Sequence, residues 1–143
     1  IGSISLIKNL PKEPIFVING DIITDIDYQN ILSYHNKSKT NATMAVRVFE
    51  SKEIYGFVKT KGTRILGFEE KPITRTYINS GIYILQPSSI MQLKKIVKKN
   101  KKIDMPDLFN FLRQKKLKTI IFPFFGSWTD IGNKSDYENL KNN

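Results

Sequence analysis

The 143-residue chain contains no cysteine. That excludes a disulfide framework and any thiolate-ligated metal site. There is a single histidine, His35, set on the apolar face of a helical pattern. It reads as structural, which leaves no Ser-His-Asp or Cys-His arrangement to nominate. Arginine is scarce: Arg47, Arg64, Arg75 and Arg113 stand among 23 basic residues. Readers of bases and phosphates favour Arg forks. The net charge of +10 therefore reads as a Lys-rich solvated surface, with steering of anionic substrates as the alternative, and nucleic acid is not an expected partner. The densest basic cluster is Lys94, Lys95, Lys98, Lys99, Lys101 and Lys102, at the end of an expected helix where cations suit the dipole. No apolar run approaches the roughly 20 residues needed to cross a bilayer. No basic segment followed by an apolar stretch opens the chain. No membrane association and a cytoplasmic address are the expectations. A phosphate-binding glycine loop, an internal repeat, a low-complexity block and a linker are all missing, so residues 1–143 read as one domain, long enough for a real core. The chain starts Ile1-Gly2-Ser3 without Met and reads as cut from a longer polypeptide.

What is present alternates between two periodicities. Ile4 to Leu10 has the spacing of a short amphipathic helix, ended by Pro11. Ile15 to Asn19 reads as a buried strand. Asp25 or Asp27 can cap a helix that carries Tyr28, Ile31, Leu32 and His35 on one face. Ala42 to Phe49 is a nearly continuous apolar strand. Gly56 to Thr60 and Arg64 to Glu69 form a hairpin about Lys61-Gly62-Thr63. Ile78 to Leu85 is a strand ended by Pro87. Ser88 or Ser89 caps a helix with Ile90, Leu93, Ile96 and Val97 inward. Asp104 caps another, with Met105, Leu108, Phe109 and Leu112 inward. Lys118 to Phe125 is a last long strand, and a final helix after Asn133 presents Tyr137 and Leu140. Helices alternating with strands give an α/β class with a mixed, mostly parallel sheet.

In an open α/β sheet, ligands sit beyond the carboxyl ends of strands. Asn19-Gly20-Asp21 follows an apolar strand and presents a carboxylate there. Trp128-Thr129-Asp130-Ile131-Gly132 presents a second one after the last strand. Paired carboxylates suit Mg²⁺, which completes its octahedron with water and substrate phosphate; zinc prefers His and Cys. Pro72 is expected to hold Lys71 extended, where a compact charge can meet a phosphate. Glu70 can accept hydrogen bonds from sugar hydroxyls. Gly56, after Tyr55, permits close backbone approach, and Asn79 offers a donor and an acceptor. Ordinary readings stand beside each of these: capping aspartates, a charged hairpin edge, a strand-starting turn and a β-bulge.

The order of these motifs is more specific than any one of them. Asn19-Gly20-Asp21, Tyr55-Gly56-Phe57-Val58, Phe68-Glu69-Glu70-Lys71-Pro72, Ile78-Asn79-Ser80-Gly81-Ile82-Tyr83 and Trp128-Thr129-Asp130-Ile131-Gly132 together resemble the sugar-1-phosphate nucleotidyltransferases. Asp104-Met105-Pro106-Asp107-Leu108-Phe109 is most similar to their bacterial mannose-1-phosphate guanylyltransferase-like branch. The resemblance implies a Rossmann-like three-layer α/β/α sandwich of nucleotide-diphospho-sugar transferase type. It implies transfer of a nucleotide from an NTP to a sugar 1-phosphate, releasing pyrophosphate, with GTP and a hexose 1-phosphate favoured. It assigns Asp21 and Asp130 to Mg²⁺ and Lys71 to the sugar phosphate. Glu70, Asn79 and the Tyr55-Gly56 backbone go to the sugar, and Gly2 to the neighbourhood of the base, although Ser5 stands where the family has a second glycine. The family's opening glycine-rich signature is missing. The chain is thus expected to be the C-terminal portion of one nucleotidyltransferase domain, completed by upstream residues and inactive alone. A homo-oligomer stays open. Two other readings also stay open: a non-catalytic sugar-nucleotide-binding subunit of the same fold, and a glycosyltransferase using the spacing of Asp25-Ile26-Asp27.

Overall fold

The computed structural model describes residues 1–97 and 102–132. The expected helix with Tyr137 and Leu140, and Lys98, Lys99 and Lys101 of the basic cluster, lie outside those residues. Four strands form the main sheet: β1 (Ile15–Ile18), β3 (Ala42–Lys52), β6 (Ile73–Leu85) and β7 (Thr119–Phe124), in the order β1-β6-β3-β7. Two small ribbons stand apart from it. One pairs β2 (Ile22–Thr24) with β8 (Trp128–Asp130), and the other pairs β4 (Phe57–Lys61) with β5 (Arg64–Glu69).

Side-chain alternation along β6 builds the layers. Ile82 and Ile84 face a core shared with Ile31, Ile26, Ala45 and Phe124, under α1 (Tyr28–Lys37). Tyr83 and Leu85 face the opposite core, with Ile90 and Leu93 of α2 (Pro87–Val97) and Met105, Leu108 and Leu112 of α3 (Met105–Gln114). The end of β6 from Ile82 to Leu85, apolar at every position, thus feeds two helical layers, which is the α/β/α sandwich. Asp27 caps α1, accepting from the backbone N–H groups of Gln29 and Asn30. Asp104 and Asp107 form a reciprocal capping box at α3. Among the described residues no helix is long and apolar enough to cross a membrane.

Several expectations need correction. The sheet is mixed, but parallel pairing does not dominate. β1, β3 and β7 run the same way, while β6 lies antiparallel between β1 and β3, so among the described residues only β3 with β7 pairs in parallel. The expected helix over Ile4 to Leu10 is a short 3-10 helix, Gly2–Leu6. Ile1 offers it no side-chain cap, and the Ser5 hydroxyl donates back to the Gly2 carbonyl, so a costly nucleus is never extended. Pro87 does not merely end β6; it opens α2, a position where its missing N–H costs nothing. Strands β3 and β6 both run on past the core, paired from Val48↔Tyr77 to Lys52↔Ile73. Their residues there are mostly exposed, so no apolar run announces the arm.

His35 is fully buried on α1. Its Nε2 faces the Gln86 side-chain amide nitrogen at 3.1 Å, and its Nδ1 lies 2.8 Å from the Thr43 hydroxyl. An amide nitrogen only donates, so Nε2 accepts and Nδ1 carries the proton. Burial lowers the pKa from its ordinary 6.5. The unfolded chain then binds more protons below that value, and stability falls as pH drops through 6.5 toward the folded pKa. Urea midpoints measured between about pH 7.5 and pH 5.5 should be flat at the top of that range and decline through the lower half. In His35→Gln the decline in this window should be shallower.

Candidate active site

Asp21, Tyr55, Gly56, Glu70, Lys71, Asn79 and Asp130 lie toward one end of the sheet. The carboxyl ends of β1 and β7 point the same way, and the β3–β6 arm extends past them in that direction.

After β1 the chain turns at Asn19-Gly20-Asp21. The Asn19 N–H donates to the Gly81 carbonyl at 2.9 Å. Gly81 has φ +73, and a Cβ there would meet Asn19 Nδ2 at 2.8 Å. Beyond the turn, β2 pairs with β8 in the register Ile22↔Asp130, and the Ile131 N–H donates to the Asp21 carbonyl at 2.8 Å. Asp21 and Asp130 therefore occupy neighbouring rungs at one end of the same ribbon, both exposed. Among the described residues no group of three or more His, Cys, Asp or Glu side chains could hold a metal. A closed protein cage for a metal has no basis there. An open two-carboxylate site, with remaining positions left to water and phosphate, has the donor chemistry Mg²⁺ accepts.

The hairpin β4–β5 supplies the next group. Lys61 pairs with Arg64 across a two-residue loop in which Gly62 has φ +60. At the base, Gly56 and Glu70 meet: a Cβ on Gly56 would lie 2.9 Å from Glu70 Oε2. The Glu53 N–H donates to the Pro72 carbonyl at 3.1 Å, closing the base. Lys71 is not extended as expected. Its φ is +44, a left-handed conformation that turns the chain from β5 into β6 while Pro72 is buried. Such a backbone costs a non-glycine residue about 1–3 kcal/mol and tends to mark functional positions.

Asn79 lies at a bulge. Between Met44↔Tyr83 and Val46↔Asn79, three residues of β6 oppose the single Ala45. The Ser80 hydroxyl donates to the Ala45 carbonyl at 2.8 Å, and Asn79 Oδ1 accepts from the Gly81 N–H at 3.1 Å. Burial raises the Tyr83 pKa above its ordinary 10.0, opposed by a hydrogen bond from Asn79. Gly2 lies in the 3-10 helix that packs on α2, beside Ile1, whose amino group donates to the Ile103 carbonyl just ahead of α3.

A model of the nucleotidyl transferase family matches residues 3–143. The chain belongs to that family. Among curated relatives it is 32% identical, over 87% of its length, to a mannose-1-phosphate guanyltransferase of Emericella nidulans, covering 34% of that protein. It is 30% identical, over 91% of its length, to a glucose-1-phosphate adenylyltransferase of Clostridium kluyveri, covering 36% of that one. The chain thus spans about a third of the length of the curated relatives it matches. Among solved structures, HddC from Yersinia pseudotuberculosis superposes with a TM-score of 0.57 at 22% identity, over 96% of this chain and 59% of that one. That likeness supports the same α/β fold.

The resemblance to sugar nucleotidyltransferases was carried by motifs that the fold does bring to one end of the sheet. Two features of this chain escaped the sequence. The β2–β8 ribbon has three residues per strand, too few for a period-2 pattern to register. Trp128 donates through its indole Nε1 to the Ser80 carbonyl at 2.9 Å, a contact 48 residues apart in sequence. Asp25 and Asp27, the DxD-spaced pair, divide between other tasks: Asp27 caps α1, and Asp25 lies against Gly126.

Gly81→Ala forces a Cβ into the Asn19 side chain at a left-handed φ. Chemical denaturation should show a loss of about 1–3 kcal/mol. Gly20→Ala, where a Cβ meets nothing within 4 Å, should stay within about 0.5 kcal/mol of the parent.

Proposed function

We propose that the protein containing this chain transfers a nucleotidyl group from an NTP to a sugar 1-phosphate, with GTP and a hexose 1-phosphate as the leading pair. The observation that carries this is that Asp21 and Asp130 lie on neighbouring rungs of one ribbon, at the same end of the sheet as the hairpin base and the bulge. Relatives named for guanylyl and adenylyl transfer to mannose or glucose 1-phosphate support it.

On this reading Lys71 meets the sugar phosphate from its left-handed turn. Glu70 and the Tyr55-Gly56 backbone take sugar hydroxyls at the hairpin base. Asn79, its carbonyl already bonded to the Gly81 N–H, offers its amide N–H to the sugar. The sugar-phosphate oxygen attacks the α-phosphorus in line and pyrophosphate leaves, so the protein's task is placement and charge compensation. Asp21 and Asp130 would hold Mg²⁺, which when bound neutralises charge on the phosphates. The rest of the polypeptide would complete the nucleotide cradle, and Gly2 would approach the base only as part of that larger surface. A cytoplasmic address belongs to the same proposal.

The deciding experiment is pyrophosphate release by the full-length protein. GTP, UTP, CTP, dTTP and ATP are each paired with mannose, glucose and glucosamine 1-phosphates, with and without Mg²⁺. One Mg²⁺-dependent pair is expected. Asp21→Asn and Asp130→Asn should each abolish it with the fold intact, and normal turnover in both would remove them from the metal site. Silence of folded protein across the panel would favour a binding subunit instead.

Gly56→Ala tests the sugar side separately. The atom a new Cβ meets is the free end of the Glu70 side chain, so Glu70 can swing away at little cost in stability. The expected result is an unchanged melting temperature with a raised KM for the sugar phosphate and an unchanged KM for the nucleotide.

A further inference from the structure

The β2–β8 ribbon carries both candidate metal carboxylates yet shares no ladder with the four-stranded sheet. Among the described residues, two hydrogen bonds join it and its leading turn to that sheet. The Asn19 N–H donates to the Gly81 carbonyl, and the Trp128 indole N–H donates to the Ser80 carbonyl, each at 2.9 Å. Both acceptors belong to the bulge of β6, which also holds Asn79 in place through the Gly81 N–H. The far end of the ribbon is closed on itself, by the Thr24 hydroxyl donating to the Ser127 carbonyl at 2.8 Å.

We infer that Trp128 is a positioning residue: its bond to the Ser80 carbonyl sets where the Asp21–Asp130 pair stands relative to the sugar-phosphate side of the site. The inference rests on the nucleotidyl-transfer reading. Asp21 and Asp130 are held to each other by the ribbon's own ladder, so they keep their mutual geometry without the indole. What the indole fixes is the ribbon against the bulge. The ring is half-buried and packs on the Ile31, Ile82 and Phe124 core. Trp128→Phe therefore keeps apolar packing and removes the N–H. A displacement of about 1 Å between reacting groups can cost about 100-fold in rate.

The test compares the full-length protein with its Trp128→Phe, Leu112→Ala and Asp130→Asn variants. Free Mn²⁺ is followed by electron paramagnetic resonance, with and without inorganic phosphate, beside pyrophosphate release and thermal melting. Trp128→Phe should bind Mn²⁺ alone as the parent does, while losing the tightening that phosphate confers on the parent. Its kcat should fall about 10- to 100-fold. Leu112→Ala leaves a cavity in the opposite core, away from the ribbon and the bulge; it should melt lower and keep both the phosphate effect and kcat. Asp130→Asn should lose Mn²⁺ itself. The inference is overturned if Trp128→Phe retains the phosphate effect, if it loses Mn²⁺ binding outright, or if the parent shows no phosphate effect. A parent that shows the phosphate effect but turns over no substrate pair would sink the nucleotidyl-transfer reading and leave the positioning role standing.

Discussion

Two successive main-chain carbonyls, those of Ser80 and Gly81, hold the carboxylate ribbon to the sheet. A regular antiparallel strand spends every carbonyl on its neighbours. The Gly81 carbonyl does so too, since Asn19↔Gly81 continues the β1–β6 register by one rung, whereas the gap opposite the single Ala45 leaves the Ser80 carbonyl for the indole. The bulge needs a residue that tolerates φ +73 and allows the Asn19 side chain to lie on its Cα, which only glycine does without strain. It also needs the gap in the ladder filled, which the Ser80 hydroxyl does at the Ala45 carbonyl. Asn79-Ser80-Gly81 is thus one device: it breaks the ladder, repairs it, and turns the freed groups toward the site.

The direction of the strands decides what else reaches that place. β1 and β7 end where the bulge begins, so the turns after them deliver Asp21 and the loop leading to Asp130. β6 runs the other way and enters the core through the bulge, after crossing the arm it forms with β3. The hairpin that connects β3 to β6 is therefore carried to the same end. Inserting one antiparallel strand between β1 and β3 is what lets a connection between two core strands also face the ligand side.

Much of this was legible from residue patterns. Ile78 to Leu85 reads as a strand, and the helices read as amphipathic runs with caps at Asp25 or Asp27 and at Asp104, of which Asp27 and Asp104 serve. The Gly62 turn was equally plain. What escaped was non-local. The strands of the β2–β8 ribbon exist because they pair with each other, not because Ile22-Ile23-Thr24 or Trp128-Thr129-Asp130 favours extension strongly. The arm of β3 and β6 is exposed and carries no periodic apolar face. Lys71 was read from the steric rule for residues before proline, yet the need to reverse the chain at the hairpin base prevailed. Parallel pairing was inferred from helix–strand alternation, but the connection from β3 to β6 contains a hairpin and no helix, so the two strands meet antiparallel.

The hairpin raises a question of stiffness that its chemistry answers. Nearly every residue of β4 and β5 is exposed, and an isolated two-stranded ribbon is marginal in water. The two ion pairs among the described residues, Lys59–Glu69 and Arg75–Glu50, brace the hairpin and the arm but are solvent-accessible, and such pairs contribute little each. A loose hairpin would make a poor ligand clamp if recognition rested at its tip. The candidate residues sit instead at the base, where Gly56 packs on Glu70, the Glu53 N–H is tied to Pro72, and Pro72 is buried. Rigidity is concentrated where the sugar and its phosphate would be held, and the exposed tip about Gly62 is free to vary without moving Glu70 or Lys71.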